Sequence, residues 1–305
     1  MKLGVFTAIL DHQPLETALD YLQGLGVQAV ELGCGGTAGH SHANPEILLN
    51  DAGALREFQR TIDRHHMEIS ALSCHGNPVH PNPETARAYD KTIRDTILLA
   101  QRLGLRRINT FSGCPGSDPD AHYPNWVTCP WPEDFQEILD YQWNQVLIPY
   151  WRETAAFAAE HGVTQIALEM HPGFCVYHTE SLLRLRRAVG EQIGANLDPS
   201  HLIWQGMDPI AVIRALKGAI FHFHAKDTKI DPYNTAVNGV LDTKPYREQE
   251  TRSWNFRSVG YGNGPLYWKD MISNLRLAGY DHVISVEHED GLMNRSEGLA
   301  KACGF

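Results

Sequence analysis

The chain has 305 residues, 43% hydrophobic and 20% charged, the proportions of a globular protein with a large core. A net charge of −10 argues against nucleic acid or an anionic membrane surface as partner. The six cysteines form no CxxC pair, which excludes a zinc ribbon or a dithiol redox motif, and they read as reduced thiols. MKLGVFTAIL reads as a strand rather than a signal peptide, and no apolar run reaches the roughly 20 residues of a membrane span. A soluble, cytoplasmic protein is expected.

Strand and helix signals then alternate. A first strand is predicted from Lys2 to Ile9, and a helix from Pro14 to Gly26 follows from the spacing of Leu15, Leu19, Leu22 and Leu25. Ala29 to Gly33 is a second strand, and the glycines after it read as a flexible loop. A helix over about 51–66 leads to a third strand, Glu68 to Cys74, and to a proline-stiffened loop carrying His75 and His80. The helix Glu84 to Leu103 and the strand Arg107 to Phe111 come next. Residues 112–132 form a long loop with Tyr123, Trp126 and Trp131, and a helical region over 133–161 is expected to bend near Pro149.

In the second half, strands are predicted at Gln165–Met170, Gly194–Leu197, Ile220–Ala225 and His282–Val286. Helices are predicted at 179–189, 208–217, 266–278 and 294–302, and residues 228–264 show no strong period. Eight strand-helix units in one chain of this length predict a single (β/α)8 TIM barrel over residues 1–305, with long loops at about 112–132 and 228–264. In such a barrel the active site lies where the strands end.

Four of those ends carry chemistry. They are LEMHP (168–172), NLDPSH (196–201), FHFHAKD (221–227) and SVEHED (285–290). Side chains alternate along a strand, so Glu169 shares a face with His171, Asn196 with Asp198, His222 with His224 and Lys226, and Ser285 with Glu287 and Glu289. So many carboxylates in one narrow mouth repel each other unless a cation compensates. Glu169, Asp198, His224 and Glu287 therefore read as a mixed oxygen and nitrogen donor set. Such a set suits Mn2+, Mg2+, Co2+, Fe2+ or Zn2+.

On these four motifs the chain resembles the xylose-isomerase-like barrel superfamily. That superfamily includes the sugar phosphate isomerase/epimerase proteins and apurinic endonuclease family 2. The resemblance implies that Glu169, Asp198, His224 and Glu287 are the metal ligands, that the ion is manganese or similar, and that His201 faces substrate. LEMHP, CHGNPVHP and the segment after the seventh strand are similar to the branch of keto-sugar dehydratases and C-glycoside deglycosidase catalytic subunits.

A divalent ion at this position would act as a Lewis acid on a carbonyl and its neighbouring hydroxyl, and a base must then remove the adjacent proton. Two designs fit. Glu169 and Glu287 could serve opposite faces of the substrate, giving a sugar isomerase or epimerase. Alternatively, His171 is the base and a β substituent is expelled, giving a lyase. Lys226, His75, His222 and Glu31 are candidate substrate contacts beside His201. Arg252, Trp254 and Arg257 are either further contacts or ordinary loop residues. The rival classes are a nuclease, which would need more metal-binding histidines and a basic face, and a non-catalytic sugar-binding subunit. The expected partners are a small sugar or glycoside and copies of the chain itself. A small partner subunit on the aromatic loop at Trp126 and Trp131 is a further option.

Overall fold

Eight parallel strands close on themselves in the computed structural model, which describes residues 1–305. They are β1 (Lys2–Phe6), β2 (Ala29–Gly33), β3 (Glu68–Ser73), β4 (Arg107–Thr110), β5 (Gln165–Glu169), β6 (Ile193–Leu197), β7 (Ile220–Ala225) and the last barrel strand (Val283–Val286). That last strand pairs with both β7 and β1, which closes the ring. Helices pack outside, so the fold is the (β/α)8 barrel that the alternating pattern predicts.

The strand residues that point outward meet the inward faces of the helices. Leu19 and Leu22, Ile93 and Ile97, and Leu182 and Leu185 belong to one continuous apolar cluster. Their spacings of three and four are the helical repeat that the sequence displays. No helix is long and apolar enough to cross a membrane.

Three local features depart from the expectations, and a fourth lies near the expected bend. The first strand stops at Phe6 and turns through a 3-10 helix over Thr7–Leu10. The glycine loop after β2 is tight rather than flexible. Gly36 adopts φ +65° with the His75 carbonyl packed where a side chain would stand, so only glycine fits. The long helical region does change character near Pro149, as Tyr141–Leu147 winds as a π-helix before the α-helix Ile148–Glu160 resumes.

The largest departure is residues 228–264. They contain the helix Pro232–Asn238 and an antiparallel pair, β8 (Asp227–Ile230) with β9 (Trp254–Arg257). We number the last barrel strand β10. Trp254 stacks on Trp204 with centroids 4.5 Å apart and planes 5° off parallel. This small apolar cluster of Trp204, Trp254 and Phe256 pins the hairpin against the barrel mouth. Two four-residue strands 23 residues apart leave no local signature, because their pairing partner is distant in sequence.

Candidate metal centre

The barrel mouth is built from strand ends, and local capping aims several of its side chains. Asp198 directly follows β6 and caps the short helix Pro199–Trp204, with Oδ1 accepting from the Ser200 backbone N–H at 2.8 Å. That leaves Oδ2 facing inward. The first turn of the same helix brings His201 back over the site, its Nε2 3.2 Å from Asp198 Oδ2 and 3.1 Å from Glu169 Oε1. At the end of β5, Glu169 Oε2 lies 3.0 Å from His75 Nε2. His224 on β7 directs Nδ1 toward Glu287 Oε2 at 2.9 Å and Glu169 Oε2 at 3.5 Å.

Donor atoms of Glu169, Asp198, His224 and Glu287 all lie within 4.8 Å of one another. Asp198 Oδ2 and Glu287 Oε2 are buried without a well-formed hydrogen bond, despite the nearby imidazoles. Orphaned carboxylate oxygens at the centre of a buried cluster are what a cation would satisfy, so the donor set fits a divalent ion. Two further groupings adjoin it, Glu31 with His222 and His224, and Glu169 with His171 and His201.

The electrostatics follow from burial and charge together. Burial and the neighbouring carboxylates Glu169 and Glu287 raise Asp198 to about 8, against the pull of Lys226. Burial also opposes ionisation of Glu287, but Lys226 and His224 outweigh it and hold the group at about 2. Burial opposes ionisation of Glu169 as well, but the hydrogen bond from His201 and the close His75 imidazole overcome it and lower the group strongly. His224 is raised well above the ordinary imidazole range, because Glu31 and Glu287 overcome its desolvation. Burial and neighbouring His171 depress His201 to about 3.

Above this floor opens a cavity of about 700 Å3. His75, Glu169, His171, Lys226 and Glu287 all line it, with aromatic walls from Phe6, Phe111, Phe174, Tyr246 and Phe256. His171 stands at the edge of the donor set, its ring 4.0 Å from that of His201 and edge-on to Phe111 at 5.1 Å. Its Nδ1–H donates to the Pro172 carbonyl at 2.6 Å, which leaves the Nε2 lone pair free. Burial lowers its pKa against the opposing charge of Glu169.

Lys226 lies inward although its ammonium is charged. Its Nζ is 2.5 Å from Glu289 and 3.3 Å from Glu287, and it sits 4.3 Å above the Phe256 ring. These carboxylates outweigh burial and raise its pKa further.

Other candidates sit elsewhere. Glu31 and His222 are fully buried below the donor set and do not line the cavity. His222 is held through Nδ1 by Asn196 Oδ1 at 3.0 Å, and through Nε2 by Ser70 Oγ at 3.1 Å. Neither reaches the space a substrate would fill. Arg252 is buried, donating to the carbonyls of Lys244 and Trp254 between the rings of Tyr246 and Trp254. Arg257 pairs with Asp290 at 3.0 Å. Arg252 holds the hairpin segment together, and Arg257 ties it to the loop after the last barrel strand. Cys74 and Cys114 are buried and lie outside the cavity.

Several residues escaped the sequence reading. The aromatic walls come from five different segments, and no local pattern joins them. Glu289 was visible on the face of Glu287, and that alternation could have identified it as the partner of Lys226. Asp227, the last residue of the HxHxKD run, is an anchor. Its carboxylate accepts from the backbone of Thr228, Gly260, Gly262 and Asn263 and from the side chains of Asn263 and Trp268.

The family model described as xylose isomerase-like TIM barrel matches residues 19–305. The chain belongs to that family. Among curated relatives, this xylose isomerase-like barrel is 40% identical to the uncharacterized protein YfiH of Bacillus subtilis, over 98% of this chain and 96% of that protein. It is 27% identical to inosose dehydratase of Geobacillus thermodenitrificans, over 53% of this chain and 52% of that one. Among solved structures, the probable 3-DHS dehydratase AsbF of Bacillus anthracis superposes with a TM-score of 0.68 at 18% identity, covering 100% of this chain and 98% of that one. A D-tagatose 3-epimerase-like protein does so at 0.65 and 21%, covering 99% and 98%. At these identities the structural likenesses speak to the fold alone.

Proposed function

We propose that this xylose isomerase-like barrel is a divalent-metal-dependent enzyme that removes a proton next to the carbonyl of a keto sugar or related polyol, as an isomerase or epimerase. The observation that carries the reading is the convergence of Glu169, Asp198, His224 and Glu287 on one point at the floor of a cavity of about 700 Å3. The cavity falls within the roughly 300–1,000 Å3 typical of small-molecule sites. A divalent ion held by these four residues would supply Lewis acidity toward a carbonyl and its neighbouring hydroxyl. The donors are oxygen and nitrogen, which suits manganese and also admits magnesium, cobalt, iron(II) or zinc.

In this reading Glu169 and Glu287 flank the reacting carbon. His75 and His201 hold Glu169, and His75, which lines the cavity, presents its remaining edge to substrate hydroxyls. Lys226, raised and cationic, orients a substrate oxygen at the wall. The aromatic rings pack the apolar faces of the sugar.

A second reading is favoured by His171. It lines the cavity with one nitrogen tied to Pro172 and the other free, the state a general base requires. Proton removal by His171 followed by loss of a β substituent would make the enzyme a lyase. The relation to inosose dehydratase supports this branch.

The deciding experiment incubates the metal-loaded protein with keto sugars, inososes and 3-keto glycosides in deuterated water. Deuterium in an epimer or isomer supports the first reading. A dehydrated product or a released aglycone supports the second. No metal uptake and no exchange with any of them would sink both. A cytoplasmic location and self-association belong to the same proposal and are checked by cell fractionation and by sedimentation.

A further inference from the structure

The fully buried Glu31 lies on the opposite side of His224 from the other three donors. Its oxygens accept from Ser73 Oγ at 2.5 Å, Ser285 Oγ at 2.7 Å and Asn109 Nδ2 at 2.9 Å, and they face His224 Nε2 at 2.9 and 3.0 Å. No lysine or arginine pairs with this carboxylate. An ionised group buried this way is costly to keep, and the interior of such barrels is ordinarily filled by branched apolar residues. Local packing gives no reason for a charge here.

The geometry at His224 gives one. A neutral imidazole has a single N–H. Carboxylates face both nitrogens, so without a cation each carries a hydrogen; a cation held among Glu169, Asp198 and Glu287 would take the place of the Nδ1 proton, and the hydrogen left on the ring is then the one at Nε2, which Glu31 accepts. Nδ1 is the nitrogen turned toward Glu287 and Glu169. The ring cannot easily swing away, because Phe6 stacks on it with centroids 5.8 Å apart and planes 18° off parallel.

We infer that Glu31 is a positioning residue: it holds His224 as the Nε2–H tautomer, aims Nδ1 at the cation, and places a negative charge behind that ligand. The inference rests on the proposed reading of Glu169, Asp198, His224 and Glu287 as a metal site. It replaces the substrate contact expected of Glu31. A carboxylate behind a metal-bound histidine raises its basicity as a ligand, and losing such a partner typically weakens metal affinity about 10–100-fold.

The test uses the full chain. In the zinc-loaded wild-type protein, long-range proton–nitrogen correlation spectra should show His224 protonated at Nε2 and ligating through Nδ1. Glu31→Gln keeps an acceptor oxygen and removes the charge. Its zinc and manganese affinities, measured by competition with a chelator, should fall about 10–100-fold. Ligation through Nε2 in the wild type would overturn the inference, and so would a folded Glu31→Gln protein with wild-type affinity. If that variant does not fold, the wild-type spectrum decides alone. A wild-type protein that takes up no metal removes the underlying reading together with the role of Glu31. Tight wild-type binding with unchanged affinity in Glu31→Gln removes only the latter.

Discussion

His171 and Asp198 show how one small volume assigns opposite protonation habits to neighbouring groups. Burial disfavours charge on both, so His171 is kept neutral and Asp198 is kept protonated at neutral pH when no cation is present. For His171 the consequence is kinetic. A histidine base works when neutral, and its pKa lies below the ordinary 6.5. In the lyase reading, kcat/KM should stay level as pH falls through 6.5 and drop only below it. His171→Asn should cut turnover by roughly 10²–10⁴-fold, the usual contribution of a general base, while metal content stays the same. A variant as active as wild type would remove His171 from the chemistry.

For Asp198 the consequence is thermodynamic. A carboxyl at about 8 and a protonated His224 must both lose a proton to ligate a cation. Metal uptake at pH 7 should therefore release protons, and affinity should climb as pH rises from 6 to 8. Titration calorimetry in buffers of different ionisation enthalpy measures this directly. Uptake of protons would contradict the assignment.

At the scale of elements, β8–β9 and its flanking loop form the least legible part of the chain and one wall of the cavity. The hairpin has few ladder bonds of its own. Asp227 compensates by collecting six donors, five from the hairpin and its loop and one from Trp268 in the helix that follows, four of them backbone amides. Asp227→Ala would strand those groups, each orphaned donor costing roughly 1–3 kcal/mol where water cannot replace the partner. We expect a lowered Tm and faster hydrogen exchange across 254–264. The barrel strands should keep their protection, because the apolar cluster between strands and helices is untouched. Equal loss of protection in β5 and β6 would show that the loop is not a separable unit.

At the scale of the molecule, the barrel concentrates charge where an ordinary fold would place apolar side chains. Glu31, Glu169, Asp198, His222, His224 and Lys226 are all essentially buried. Such a core is tolerable only if every charge is offset, and a bound cation completes the balance. Chelation should lower Tm. Saturating metal at 100 times its Kd should add about 2.7 kcal/mol of stability by mass action. A metal-independent Tm, measured by calorimetry with and without chelator, would show that the folded protein binds no cation.

Much of this architecture was written locally. The apolar residues of each helix repeat at three and four, so eight strand-helix units and their closure into a barrel could be read from the chain alone. The alternation of His222, His224 and Lys226, and of Ser285, Glu287 and Glu289, is enough to put each set on one face of its strand. What alternation cannot tell is depth. Glu31 and His222 carry the same inward signature as Glu169, yet they stand below the cluster, because depth depends on how far each strand is staggered against its neighbours. Nor could local pattern reveal the pairing of β8 with β9 or the burial of Arg252. Those depend on contacts between residues far apart in sequence, and only the closed tertiary structure brings them together.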